Sequence, residues 1–312
     1  MPPGAGLVGR MLGAVPPPLA GGARMTGALV GDIAHSLDVL GVLGDDLPDD
    51  PFAARDPAYI RDTLPALRAA CALWFRGEVR GLDNIPEDGP VLLVGNHSGG
   101  TLIADTFVFA MAFYDRFGPE RVFHQLAHDL VFKVPGPRAM ALRYGTVPAS
   151  PENMRRALGN GAALLVYPGG DHESYRPSWE SAEIDFAGRQ GFARLALDLD
   201  VPIVPVVAIG GQETALFLGQ GRGIARRLQL DRYLRLKVFP AQIAPPAGIT
   251  FLDLPGRIPL PAKITVQVLP PVNLRERLGA GADPGGAYDL VTATMQSTLD
   301  QLADERTLPV LG

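Results

Sequence analysis

Short strand-like runs, several of them continuously apolar, recur along the chain and are separated by segments with helical spacing. The strand-like runs cover residues 91–94, 162–167, 203–208, 234–239 and 264–269, and helical patterns cover 101–113, 152–158, 192–199 and 285–302. A bounded apolar run of about four to eight residues is typical of a strand buried on both faces. Alternation of such strands with helices predicts an α/β fold with a mostly parallel central sheet covered by helices.

Three parts are predicted along the 312 residues. Residues 1–24, rich in glycine, proline and alanine, are expected to be a disordered lead-in. Residues 25–77 are predicted to form a small helical extension and a candidate membrane contact. Its second helix begins at Asp56-Pro57, an N-cap followed by proline at the first helical position, and its dense apolar face includes Trp74 and Phe75. Residues 78–312 are predicted to form one α/β domain.

Charge and cysteine content limit the classes of partner and the compartment. The formal net charge of −5 excludes a polyanion such as nucleic acid as an expected partner. Cys71 is the only cysteine, which excludes an internal disulfide and favours a reducing compartment.

No run approaches the ~20 apolar residues of a spanning helix. We therefore expect a cytoplasmic protein, peripheral on the inner face of the cell membrane. The apolar, proline-rich residues 240–261 are either a packed surface loop or a membrane contact.

The turn after the first apolar run carries the residues best suited to chemistry. His97 follows this run, and Asp105 lies on the next predicted helix. An imidazole, with an unperturbed pKa of about 6.5, can accept a proton from an alcohol at neutral pH, and an acid can orient it. Gly99 and Gly100 are candidate backbone N–H donors to an oxyanion. A histidine that only satisfies a buried turn is the alternative interpretation.

Four short blocks follow one another, at residues 95–100, 144–150, 165–173 and 201–206. The first contains Asn96-His97 with Asp105 nearby. In this order the blocks resemble the lysophospholipid/glycerol acyltransferase superfamily, over roughly residues 78–272. The resemblance implies an O-acyltransferase that moves a fatty acyl group from an acyl thioester (acyl-CoA or acyl carrier protein) to the hydroxyl of a glycerolipid-type acceptor. His97 would be the general base, and no cofactor or metal is implied.

The blocks depart from the commonest branch of that superfamily. Leu102 stands where that branch has its acid, so Asp105 is the first acid after His97. Ser150 replaces an arginine that holds the acceptor's phosphate. The third block, with Glu173 as its acid, is more similar to the branch resembling monoacylglycerol and diacylglycerol acyltransferases. The acceptor therefore stays open between lysophosphatidate, diacylglycerol and another lipid alcohol.

The second and third blocks supply further candidates for binding the acceptor or the donor. These residues are Thr146, Ser150, Gly169, Gly170, Glu173 and Arg176. The two glycines permit close approach of the backbone to a ligand. Glu173 is expected to bind acceptor hydroxyls, to fix His172 or to be a solvated loop acid. Arg176 is expected either to contact the phosphates of coenzyme A or to lie on the surface. Thr146 and Ser150 either bind substrate or close the turn before the helix at 151.

Two other classes of function compete with acyl transfer. In a serine hydrolase of the lipase or esterase type, Ser98 would be the nucleophile and His172 the base, although the elbow motif requires glycine where Asn96 stands. A lipid-binding module without turnover is the non-enzymatic alternative. A metal site is not expected, because His124 and His128 are one helical turn apart without the glutamate that a zincin motif places after its first histidine.

Overall fold

A computed structural model describes residues 47–133, 135–234, 236–251, 253 and 257–308. The predicted lead-in at 1–24 and the predicted first helix of the extension lie outside the described residues. The predicted second helix is present as α1 (Pro57–Phe75), and the Asp56 side chain caps it by accepting from the backbone N–H groups of Ala58 and Tyr59. No helix within the described ranges is long and apolar enough to cross a membrane.

Among the residues that the structure describes, ten strands form two sheets. They are β1 (Glu78–Arg80), β2 (Val91–Gly95), β3 (Phe123–Ala127), β4 (Thr146–Pro148), β5 (Ala163–Val166), β6 (Ile203–Ile209), β7 (Leu216–Gly219), β8 (Ala241–Ala244), β9 (Gly248–Phe251) and β10 (Thr265–Val268). The large sheet has the order β1-β10-β6-β2-β5-β3-β4, and its pairs are parallel except β10 with β6. The small sheet, β7-β8-β9, is antiparallel. The prediction of a mostly parallel central sheet is confirmed.

Helices cover both faces of the large sheet. Besides α1 they are α2 (Ala104–Phe117), α3 (Pro135–Arg143), α4 (Pro151–Gly159), α5 (Asp171–Ser174), α6 (Gly191–Leu199), α7 (Arg222–Arg227), α8 (Leu230–Leu234), α9 (Leu274–Leu278) and α10 (Pro284–Asp304). Alternate residues of β2 serve the two cores: Leu92 packs with α4, α6 and α10, and Leu93 packs with α1 and α2. Every residue of β2 is buried, as the continuous apolar run predicts.

Helix α1 is packed against the domain rather than detached from it. Ile60 is fully buried, and Leu64 and Cys71 are partly buried against the core that contains α2. Burial raises the pKa of the Cys71 thiol to about 11, so it stays protonated at neutral pH. At the end of the helix, Leu73 is exposed and the Trp74 indole N–H donates to the carbonyl of Pro259 at 2.9 Å.

Two local expectations differ from the structure. The run predicted at 234–239 forms no strand at 236–239, because its backbone groups bind elsewhere. The Lys237 N–H donates to the side chain of Asp171 on α5, and the Phe239 N–H donates to the carbonyl of Gln220 after β7. His124 lies on strand β3 rather than on a helix. It therefore does not face His128 across a helical turn, since a strand extends about 3.3 Å per residue.

Candidate functional site

His97 lies at the carboxyl edge of the parallel strands, two residues after β2. The intervening Asn96 fixes the turn to β6, since its side-chain amide donates to the carbonyl of Ala208 and accepts from the N–H of the same residue, both at 2.8 Å. In open α/β sheets this edge is where ligands bind. The turn therefore places a histidine at the preferred edge and holds its backbone rigidly.

The imidazole of His97 is oriented by an aromatic ring and a carboxylate. Its ring stacks on Tyr167 with centroids 4.5 Å apart and planes 20° apart. Its Nδ1 atom is buried, has no hydrogen-bond partner, and lies 3.6 Å from Oδ2 of Asp105. A separation of 3.6 Å is beyond a hydrogen bond, but a small shift of either side chain would close it. With Nδ1 facing Asp105, Nε2 is the ring nitrogen left for a substrate.

Asp105 is buried in the first turn of α2 and is held by a network of donors. Its Oδ2 accepts from the backbone N–H and the hydroxyl of Ser98 at 3.0 and 3.2 Å, and its Oδ1 accepts from the N–H of Thr106 at 2.8 Å. The N-terminus of a helix also stabilises negative charge. The Thr106 hydroxyl donates to the Tyr167 hydroxyl at 2.8 Å, which links the carboxylate and the stacked ring through neighbouring residues.

The glycine turn is contacted from the side of the small sheet. The Gly99 N–H donates to the side-chain oxygen of Gln212 at 3.0 Å. In this conformation that amide is engaged and does not offer the oxyanion contact expected from the sequence. Gly100 has φ +65°, and a Cβ atom there would meet Asp253 Oδ2 at 2.2 Å, so glycine is required. The Thr101 N–H donates to Asp253, whose carboxylate also pairs with the buried Arg257.

Glu173 and Arg176 form a buried pair that supports the His97 turn. The Glu173 carboxylate accepts from the N–H of His97 at 3.1 Å and from the N–H of Asp185 at 3.2 Å, and Arg176 lies 2.9 Å from it. Burial raises the pKa of Glu173 to about 7, although Arg176 and the two N–H donors favour the carboxylate. With Arg176 only 7% exposed, the expected contact of its side chain with coenzyme A phosphates is not available. Both residues hold the turn instead.

The other predicted binding residues also have local partners. The Ser150 hydroxyl caps α4 by accepting from the N–H of Asn153 at 3.1 Å, and the buried Thr146 hydroxyl accepts from Gln125 at 2.7 Å. These contacts favour the turn-closing alternative over substrate binding. A Cβ atom on Gly169 would collide with Glu173, so this glycine makes room for the acid. Gly170 precedes α5, and its carbonyl accepts from the N–H of Ser174.

The residues of the hydrolase alternative do not form a catalytic pair. The Ser98 hydroxyl donates to Asp105. The His172 ring contacts Asp185 through Nε2 at 2.5 Å and Arg222 through Nδ1 at 2.6 Å. His124 is buried against the carbonyl of Gly145 at 2.8 Å, and the described residues contain no group of three or more potential metal ligands.

Five residues of this site were not predicted from the sequence to have a role in it. Asn96, Tyr167, Gln212, Asp253 and Arg257 bind or stack on the turn between 96 and 101. Tyr167 and Asn96 stand inside the blocks that were recognised, so their positions were a usable signal. The other three contact the turn across more than a hundred residues of chain, and nothing in the local sequence marks them.

Comparison with known proteins agrees with the motifs. Residues 76–209 match the family model described as Acyltransferase. An uncharacterized protein of Mycobacterium tuberculosis is 31% identical over 242 residues, which cover 76% of this chain and 64% of that protein. The "DGAT1/2-independent enzyme synthesizing storage lipids" of Bos taurus is 30% identical over 201 residues, or 64% of this chain and 57% of that protein. The chain thus spans less than two thirds of the length of these relatives.

A solved structure supports the fold. The crystal structure of the 1-acyl-sn-glycerophosphate (LPA) acyltransferase PlsC from Thermotoga maritima matches with a TM-score of 0.50. The match covers 80% of this chain and 82% of that one at 16% identity. At this level of identity the likeness concerns the arrangement of strands and helices.

Proposed function

We propose that this chain, whose residues 76–209 match the family model described as Acyltransferase, transfers a fatty acyl group from an acyl thioester to the hydroxyl of a lipid alcohol. The observation that carries the proposal is the His97 ring, stacked on Tyr167 with Nδ1 facing the buried Asp105. A histidine held in this way is the arrangement that general-base catalysis requires. The donor is acyl-CoA or an acyl carrier protein, as co-substrate.

The reaction follows from the two ring nitrogens of His97. Nε2 takes the proton of the acceptor hydroxyl as its oxygen attacks the thioester carbonyl. Asp105 stabilises the imidazolium through Nδ1. The tetrahedral intermediate then collapses: the C–S bond breaks, the ester remains on the acceptor, and the thiolate leaves with the proton returned from Nε2. His97 ends the cycle neutral, and no covalent acyl-enzyme is formed.

A neutral acceptor fits the charges near the turn better than a phosphorylated one. At the position of the common phosphate-binding arginine stands Ser150, which caps α4. The cation of the third block, Arg176, is buried and paired with Glu173. Neither residue offers a positive charge to a phosphate. We therefore propose a diacylglycerol, monoacylglycerol or similar neutral alcohol as acceptor, in keeping with the name of the bovine relative.

The acceptor is tested by incubating the purified full-length protein with labelled acyl-CoA and a panel of lipid alcohols, followed by lipid separation. We expect labelled ester with diacylglycerol or monoacylglycerol, and at least about tenfold less with lysophosphatidate, because charge-assisted contacts to a phosphate are typically worth 1.4 kcal/mol or more. Lysophosphatidate as the best acceptor would refute the neutral-acceptor assignment while leaving acyl transfer in place.

Replacement of Asp105 by Asn should lower turnover by about 10- to 100-fold, less than loss of the base itself, because the acid orients the ring and does not move the proton. The amide keeps the volume and one accepting oxygen, so the bonds from Ser98 can partly remain. Turnover is measured by thiol release at saturating acceptor. Unchanged turnover in Asp105→Asn would transfer the supporting role to another acid.

We also propose that the protein is cytoplasmic and reaches its substrates from the membrane surface. The outer face of the small sheet exposes Leu216, Ile243 and Ile249 in one paired row, with Phe251 beside them. The segment at 240–261, for which a membrane contact was one of two interpretations, supplies two of these strands. Exposed apolar patches of this kind mark contact with membranes or partners. Leu73, at the end of α1, is exposed as well.

Flotation with liposomes tests this surface. The full-length protein should float with liposomes at high salt and be released by mild detergent, since apolar contact is not screened. The triple variant Leu216→Gln/Ile249→Gln/Phe251→Gln should lower the bound fraction at least about tenfold, from the lost apolar burial. A matched variant, Val122→Gln/Leu199→Gln, alters exposed apolar residues outside the small sheet and should float normally. A wild-type protein that remains wholly in the soluble fraction would disprove surface attachment.

A further inference from the structure

We infer that a cavity behind α5 binds the nucleotide phosphates of coenzyme A. The cavity has a volume of about 420 Å³ and is lined by Arg189, Arg222, Arg226 and Lys237. The inference rests on the proposed function, because coenzyme A is then the thiol carrier of the acyl donor. It assigns to this cavity the phosphate contact that Arg176, buried against Glu173, does not make.

The charge of the cavity is opposite to that of the chain as a whole. Residues 220–240, which join β7 to β8, contain six basic residues and one acid, whereas the chain carries a net charge of −5. The basic residues are Arg222, Arg226, Arg227, Arg232, Arg235 and Lys237. Of the two acids that line the cavity, Asp171 is paired with Arg189 at 3.0 Å, and Asp231 is the other. Clustered arginine and lysine are the side chains that bind phosphate.

The frame of the cavity is held by hydrogen bonds within the protein. Arg189 donates to the carbonyls of Pro168 and Gly169 at 3.1 and 2.8 Å, and so fixes the third-block turn. Arg222 contacts Nδ1 of His172, and the Lys237 backbone N–H donates to Asp171 at 3.1 Å. These bonds join the third block to the basic segment. A site held in this way pays little to become ordered on binding.

Neighbouring residues of α5 contact the cavity and the catalytic turn. His172 lines the cavity, and its neighbour Glu173 accepts the N–H of His97. In coenzyme A the pantetheine arm separates the phosphates from the thioester sulfur. A donor with its phosphates among Arg226 and Lys237 can therefore extend past α5 and present its thioester near His97. A neutral lipid acceptor has no phosphate that could bind in the cavity. The ligand of the cavity is therefore the donor.

Binding of free coenzyme A to the full-length protein, measured by calorimetry, tests the assignment. We expect Arg226→Gln/Lys237→Gln to raise the Kd at least about tenfold, because charge-assisted phosphate contacts are lost. The matched variant Arg227→Gln/Arg232→Gln removes the same charge from equally exposed side chains of the same segment, which do not line the cavity. Its Kd should stay within about twofold of the wild type. Dephospho-coenzyme A, which lacks the 3′-phosphate, should bind the wild type more weakly than coenzyme A.

The assignment would be overturned by no binding of coenzyme A to the wild type, by equal affinity in all three proteins, or by equal weakening in both double variants. If Arg226→Gln/Lys237→Gln lost affinity for lysophosphatidate but kept its affinity for coenzyme A, the ligand of the cavity would be a phosphorylated acceptor. Cavity-dependent binding of coenzyme A without acyl transfer to any lipid alcohol would instead refute the proposed function and retain the cavity.

Discussion

Replacing His97 by Ala should lower acyl transfer by about 10²- to 10⁴-fold, the usual cost of removing a general base. No other side chain of the described turn combines a titratable nitrogen with a buried carboxylate beside it. The fold should be retained, since the ring is held by stacking on Tyr167 while the turn is held by backbone contacts to Glu173 and by Asn96. Turnover with saturating acceptor, together with circular dichroism, measures both expectations.

Ser98→Ala is the matched control for this variant. The Ser98 hydroxyl donates to Asp105, so its loss removes one of several bonds to the acid and should reduce turnover less than about tenfold. A fluorophosphonate probe should not label the wild-type protein. Near-normal turnover in a folded His97→Ala protein, or full loss of turnover in Ser98→Ala with labelling at Ser98, would remove His97 from the role of base.

Replacing Glu173 by Ala should destabilise the protein by about 3–5 kcal/mol, the cost of leaving one partner of a buried ion pair without the other. The change also leaves the N–H groups of His97 and Asp185 without their acceptor. The double variant Glu173→Ala/Arg176→Met should lose less, because no unpaired buried charge remains. Free energies of unfolding from urea denaturation give both values, and a loss below about 1 kcal/mol in Glu173→Ala would show that the pair does not support the turn.

The same acid makes stability depend on pH in a defined direction. Burial raises the pKa of Glu173 to about 7 from an ordinary value of 4.5. The folded protein therefore binds a proton more tightly than the unfolded chain, and this group's contribution to stability falls as pH rises from about 4.5 to about 7. In Glu173→Ala, the free energy of unfolding from urea denaturation should lack this decrease between about pH 4.5 and pH 7.

The sequence predicted the site correctly where the residues suited to chemistry directly follow a recognisable strand. The buried run at 91–94 predicted β2, and the turn after it predicted the place of His97 and Asp105 at the ligand-binding edge. Local pattern was misleading where burial decides the role of a side chain. Arg176 has the polarity of a surface residue, yet Glu173 lies three positions away and both are buried together.

The region around the small sheet could not be predicted from local pattern either. Its strands are short, and the contacts that matter for the site are made by Asp253 and Arg257, far along the chain from the turn that they hold. Segment 234–239 has the alternating pattern of a strand, but the Lys237 N–H binds Asp171 on α5 and the Phe239 N–H binds the carbonyl of Gln220. Pairing between distant segments is a tertiary property, so local propensity does not determine it.

The partition of a labelled acyl group tests the central claim most directly. Wild-type protein is incubated with labelled acyl-CoA and increasing diacylglycerol in detergent-dispersed lipid, and the label is followed into ester and into free fatty acid. Acyl transfer with His97 as base predicts label in the ester, rising with acceptor and equal to the thiol released, and neither product above background in His97→Ala. Label released as free fatty acid at a rate independent of acceptor would contradict the account, because hydrolysis rather than transfer would then be the reaction of this site.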